Sequence, residues 1–168
     1  MSSYLLCSTP IQGHLAPMLA IAKYLVDQGH QVRLLSGSRF REAIEKTGAT
    51  PLALAGRADF DDRVFLDELP ERLKLRGMAK IRYDVETVFV RPVPDQYQAL
   101  SQALRDSPPD AVIAETAFVG VLPLLLANPG TRPPVTGIGV LPLAQMSEDV
   151  APFGPGLAPL AGPLGLLR

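Results

Sequence analysis

A single cysteine, two histidines and no tryptophan stand among 168 residues. One thiol, Cys7, makes neither an internal disulfide nor a cysteine-based zinc cage, which fits a reducing cytoplasm. An excess of one charge is missing too. The 16 Lys and Arg meet 17 Asp and Glu, so nothing here neutralises a row of phosphates, and a nucleic-acid partner is excluded. The opening Met1-Ser2-Ser3 has no basic region, and the apolar run behind it is too short for a secretory signal. What is present is an ordinary apolar share of 47% at a net charge of −1. That balance excludes global disorder and leaves enough chain for one domain with a sizeable core.

Charge is unevenly spread. Residues 57–91 hold 16 of the 33 charged side chains, the mark of solvated helices, whereas residues 150–167 hold none. The uncharged stretch has the length of a membrane span, but Pro152, Pro155, Pro159 and Pro163 each remove a helix hydrogen bond, so no membrane insertion is expected. It reads as an apolar loop that needs a covering surface, with the chain ending at Arg168 before one is supplied. We therefore expect a domain over 1–150, a Pro/Gly-rich loop over 151–168, and a further domain absent from this chain.

The front of the chain alternates between two periods. Tyr4–Thr9 is a nearly continuous apolar run, the pattern of a strand buried on both faces. Leu15, Met18, Leu19, Ala22, Leu25 and Val26 then recur at helical spacing, with Pro17 in the first turn and Gly29 as a stop. Further strands are predicted over 32–35, 50–54, 110–115 and 135–140. Helices are predicted over 39–46, around Val93, Tyr97, Leu100 and Leu104, and over 118–127, with one or two more in the charged segment, broken at Gly77. The class is α/β, a Rossmann-like parallel sheet with helices on both faces.

In such a sheet the usual strand order, 3-2-1-4-5, makes the first and fourth strands neighbours, and ligands sit beyond their carboxyl ends. His14 lies in the loop after the first strand, and Glu115 ends the fourth. Topology thus brings together two titratable groups a hundred residues apart. A histidine facing the positive end of a helix suits the neutral, proton-accepting ring. A carboxylate on its other nitrogen would fix the tautomer and stabilise the cation, making a dyad that activates a hydroxyl. The alternative is a helix-capping histidine beside a strand-ending glutamate of structural use.

The run STPIQGHLAPMLAIAKYLVDQGHQVRLLSG, with its G-H-x-x-P loop, resembles the opening of inverting nucleotide-sugar glycosyltransferases of the UDP-glucosyl and UDP-glucuronosyl transferase type. The resemblance extends to PDAVIAETAFVG, and the tail PFGPGLAPLAGPLGLLR is similar to the loop before the domain linker in bacterial members acting on antibiotics and other natural products. The resemblance implies the amino-terminal, acceptor-binding half of a two-domain GT-B fold, with the nucleotide-sugar-binding half missing from this chain. It implies His14 as general base, Glu115 as its partner where plant members usually carry Asp, and Gly13 near the donor sugar or pyrophosphate. The co-substrate would be a UDP- or TDP-linked sugar, with no cofactor and no metal. Phe65, Met78 and Phe89, with Phe60 and Tyr83, are candidates for an acceptor pocket, ordinary helix-core contacts being the other reading. Thr116 and Phe118 join them through their place after Glu115. Twelve Arg against four Lys fits a GC-rich bacterial source.

Three other signals point elsewhere. Asp59-Phe60-Asp61 spells a metal-holding D-x-D, but it stands in the acidic segment and reads as solvated surface. The loop after the first strand has only Gly13, so the G-x-G-x-x-G fingerprint of a nicotinamide or flavin enzyme is missing. His30 falls at the opposite end of the sheet, a structural position. A non-catalytic small-molecule-binding α/β module, or a reductase with an atypical cofactor loop, are the alternatives to a transferase.

Overall fold

Five parallel strands lie side by side in the computed structural model, which describes residues 1–141. In chain order these are β1 (Ser3–Cys7), β2 (Gln31–Ser36), β3 (Thr50–Ala53), β4 (Ala111–Glu115) and β5 (Val135–Ile138). The helices are α1 (Gln12–Asp27), α2 (Arg41–Glu45), α3 (Pro70–Leu73), α4 (Gly77–Val85), α5 (Val93–Asp106) and α6 (Leu122–Leu126). The spatial order is β3-β2-β1-β4-β5, as the sequence predicts. Residues 142–150 of the expected domain and the whole 151–168 loop lie outside the described residues.

Strand alternation divides the core into two layers. Leu5 and Cys7 of β1, Leu35 of β2, and Val112 and Ala114 of β4 pack on one face with Leu100 and Ala103 of α5. Leu6, Val32 and Leu34 face the other side, against Leu15, Met18 and Ala22 of α1 and Ile44 of α2. A fully buried leucine is worth roughly 1.5–3 kcal/mol, so the central strands carry much of the stability. Burial also pushes the Cys7 thiol far above its ordinary pKa, which keeps it an inert core side chain. Arg33 interrupts the apolar run of β2, and its guanidinium donates to the carbonyls of Ala103 (3.0 Å) and Ser107 at the end of α5.

Several boundaries differ from expectation by a few residues, and two of them bear on the site. β1 stops at Cys7, although Ser8 and Thr9 remain fully buried. Helix α1 begins at Gln12 instead of Leu15, so Pro17 is its sixth residue and lies beyond the first turn. The missing Pro17 N–H leaves the Gly13 carbonyl without its intrahelical donor, which is tolerable because Gly13 is exposed to water.

The charged segment folds into α3 and α4, separated near Gly77, whose φ of +55° suits glycine. A five-residue π-helical turn, Glu86–Val90, joins α4 towards α5. Arg72 ties α3 to Asp84 of α4 through Nε–Oδ1 (2.6 Å) and Nη2–Oδ2 (3.1 Å) bonds. After β4 the chain turns tightly through Val119–Val121 into α6, and Gly120 lies directly on α5. Its N–H donates to the buried Gln96 Oε1 at 2.8 Å. No helix among the described residues is long and apolar enough to cross a membrane.

Candidate active site

Cys7 of β1 pairs with Ala114 of β4, so the segments leaving these strands emerge at one sheet edge. Glu115 ends β4 with its side chain fully buried, and three N–H groups converge on it. Oε1 accepts from the Thr9 amide (3.0 Å), and Oε2 accepts from the Ala117 amide (2.7 Å). The same Oε2 meets His14 Nδ1 at 3.1 Å. Burial by itself raises the carboxyl pKa, but the bonds from His14, Ala117 and Thr9 outweigh it and hold the group below its ordinary value. Glu115 is therefore an ionised acceptor, and Nδ1 of His14 must be the donor. In the neutral ring that arrangement leaves Nε2 with the lone pair.

His14 is the third residue of α1 and its side chain is 12% exposed. Its own N–H donates to the Ile11 carbonyl (3.0 Å), which fixes the first turn. Gly13, one residue earlier, is exposed, and a Cβ there would meet nothing within 4 Å. No packing within the described chain requires glycine at this position.

Next to the dyad opens an apolar cleft of about 270 Å³, lined by Ile11, Phe60, Phe65, Val88 and Phe89 among others. The Phe89 ring lies 6.0 Å from the His14 ring, and Phe60 stacks on Phe65 at 4.5 Å. Of the side chains proposed from sequence for an acceptor, Phe60, Phe65 and Phe89 stand here, whereas Tyr83 does not line the cleft. Thr116 is exposed just beyond Glu115, its amide bonded to the Ile138 carbonyl at 3.0 Å. Met78 is 68% exposed on α4 and does not line the cleft. Phe118 requires a correction, being wholly buried in the α5-side core. The turn closed by its N–H on the Glu115 carbonyl (3.0 Å) folds the chain back beneath the sheet and carries the ring away from the crevice.

Sequence reasoning missed Asp62. Its Oδ2 accepts the Gln12 N–H at 2.8 Å and its Oδ1 meets Arg39 Nη2 at 2.6 Å. The available signal was Ile11, an N-cap residue with no side-chain acceptor, which leaves the helix to find a cap elsewhere. The neighbouring D-x-D carboxylates are engaged by the protein itself, more closely than a solvated surface implies. Asp59 accepts the Ser38 amide (2.8 Å), and Asp61 pairs with Arg63 and Arg39. His30 accepts the Ser2 amide (3.2 Å) and packs edge-on against Tyr4, at the amino end of the sheet.

Residues 12–136 match the glycosyltransferase family 28 N-terminal domain. UDP-glucosyltransferase B1 of Starmerella bombicola is 32% identical over 160 residues, which cover 92% of this chain and 37% of that protein. The 4'-demethylrebeccamycin synthase of Lentzea aerocolonigenes is also 32% identical, over 98% of this chain and 38% of its own length. Among solved structures, CalG4, the calicheamicin glycosyltransferase, superposes with a TM-score of 0.62 at 22% identity, over 83% of this chain and 32% of that one. The fold is thus the amino-terminal half of a GT-B glycosyltransferase, and the chain spans well under half the length of these relatives. On the strength of the match across its sheet and helices, the chain belongs to the glycosyltransferase family 28 N-terminal domain family.

Proposed function

We propose that this chain is the acceptor-binding half of an inverting glycosyltransferase, moving a hexose from a UDP- or TDP-linked sugar to a hydroxyl of a small, mostly apolar natural product. The observation that carries the reading is the bond between His14 Nδ1 and the buried Glu115, which presents Nε2 as a base beside an apolar cleft. An acceptor hydroxyl gives its proton to Nε2 as its oxygen attacks the anomeric carbon. The new carbon–oxygen bond forms on one face while the bond to the phosphate breaks on the other, and the nucleoside diphosphate leaves with the electron pair. Glu115 stabilises the imidazolium so formed. Phe65 and Phe89 would hold the acceptor body, with Thr116 at the rim.

Gly13 supports the donor side of this reading. Because a Cβ there would touch nothing among the described residues, the missing side chain leaves room for a sugar or pyrophosphate to approach near the helix N-terminus. A second domain, following the 1–150 unit and the 151–168 loop, would supply the rest of the nucleotide site. The reaction belongs in the cytoplasm, where nucleotide sugars are made. The test incubates the 168-residue chain, and a protein carrying both halves, with nucleotide sugars and a panel of polyketide and flavonoid alcohols. Mass spectrometry should find product only with both halves, while calorimetry detects weak acceptor binding by the chain alone. Turnover by the chain alone, or no product from the complete protein, overturns the proposal.

A further inference from the structure

We infer that Asp62 is a positioning residue, capping from fifty residues away the helix that carries His14 and tying it to the wall of the apolar cleft. The functional meaning rests on His14 serving as the base. The local chain has the backbone for a cap but not the chemistry. Ile11 sits at the N-cap with φ −122° and ψ 131°, the extended geometry that capping residues adopt, yet it has no side-chain acceptor. Asp62 supplies one, accepting the Gln12 N–H at 2.8 Å, two residues before His14. The same side chain lines the cleft that holds Phe65 and Phe89, so one carboxylate touches both the acceptor space and the first turn of α1.

Arg39 makes this cap compatible with an anionic co-substrate. A bare carboxylate at the positive end of a helix would hold the helix but repel phosphates approaching Gly13. Arg39 Nη2, 2.6 Å from Asp62 Oδ1, cancels that charge, while its guanidinium lies 4.0 Å over the Phe40 ring and is kept in place. The oxygen on the helix and the oxygen on the arginine are different atoms, so the two roles are separable by substitution. Asp62→Asn keeps a carbonyl for Gln12 and loses the ion pair, whereas Asp62→Ala loses both.

The readout is solvent exchange of the His14 Nδ1 proton, followed by nitrogen-resolved NMR on the 168-residue chain. Amide exchange in β4 reports on the fold. Loss of the cap frays the first turn, so Asp62→Ala should speed exchange of the ring proton about five- to tenfold with β4 unchanged. Asp62→Asn should match the wild type, and Ile11→Ser/Asp62→Ala, in which a serine at the N-cap holds the first turn through the Gly13 or His14 N–H, should return close to it. If Asp62→Ala alone does not fold, the other two variants decide the matter. Asn behaving like Ala, or a ring proton indifferent to all three changes, overturns the inference. Because no sugar transfer is measured, failure of the transferase reading would appear separately, as absent product from the two-domain protein.

Discussion

The carboxyl edge of β1 and β4 and the charged segment 57–91 build adjoining walls of one site by opposite means. At the sheet edge, Glu115 is buried and its two oxygens take bonds from Thr9, Ala117 and His14. In the charged segment, short helices are held by ion pairs near the surface, such as Arg72 with Asp84 and Arg91 with Glu86. Backbone topology fixes the His14–Glu115 pair, and side-chain pairing shapes the apolar cleft beside it. The first wall has little freedom to vary without losing the fold, whereas the second can change shape at smaller cost.

The largest effect should come from the first wall. In a protein carrying both halves, His14→Ala should lower turnover by about 10² to 10⁴ with acceptor affinity little changed, a barrier rise of roughly 3–5 kcal/mol. Steady-state kinetics across pH decide it, since equal turnover of both forms would remove His14 from the chemistry. Next in size is the packing behind that wall. A Cβ at Gly120 would overlap Gln96 Cβ and stand 2.9 Å from the Tyr97 backbone nitrogen, leaving no flexible tip to give way. Gly120→Ala should therefore cost about 2–3 kcal/mol in thermal or denaturant unfolding, and an unchanged midpoint would mean that α5 shifts freely.

Glu115→Gln should cost less, about 1–2 kcal/mol, because the Gln amide would turn an N–H₂ towards at least one of the donors that Glu115 now satisfies. The pH dependence has a definite sign. Glu115 is held below its ordinary pKa in the folded state, so its stabilisation is complete above the ordinary carboxylate range and disappears as pH falls through the lowered folded value. The gap between wild type and Glu115→Gln should accordingly narrow below about pH 4. A gap constant down to the acid transition would contradict the ionised state on which the His14 tautomer depends.

The difference between the walls also governs what was legible in the sequence. Strand order, and with it the meeting of His14 and Glu115, followed from an alternating pattern whose few topological solutions keep β1 beside β4. Phe65 and Phe89 were legible as aromatic side chains needing an apolar setting. Phe118 was not placed correctly, because position after a strand says nothing about a turn that folds back under the sheet. Asp62 was hidden among acidic neighbours. A charge run looks solvated until one member is seen to accept an amide from fifty residues away, and pairing at that range leaves no periodic trace. The start of α1 shifted for the same reason, since Asp62 provides for Gln12 an acceptor that the local chain lacks.

The smallest effect should separate the walls most cleanly. Salt screens exposed charges and leaves buried ones nearly untouched, and at about 0.5 M the screening length is only roughly 4 Å. In the charged segment the Arg91–Glu86 pair is 42% and 46% exposed, and Asp67 is 82% exposed beside Arg72. Such pairs contribute little each, so raising salt from about 20 mM to about 0.5 M should quicken amide exchange over residues 67–91 by roughly twofold. Glu115, sealed from water, should feel no such loss, and exchange over 111–115 should hold steady. Exchange mass spectrometry at the two salt concentrations reads both regions in one sample. If the two walls respond alike, ion pairing is not what holds the second one, and the helices of 67–91 must draw their order from the apolar cleft instead.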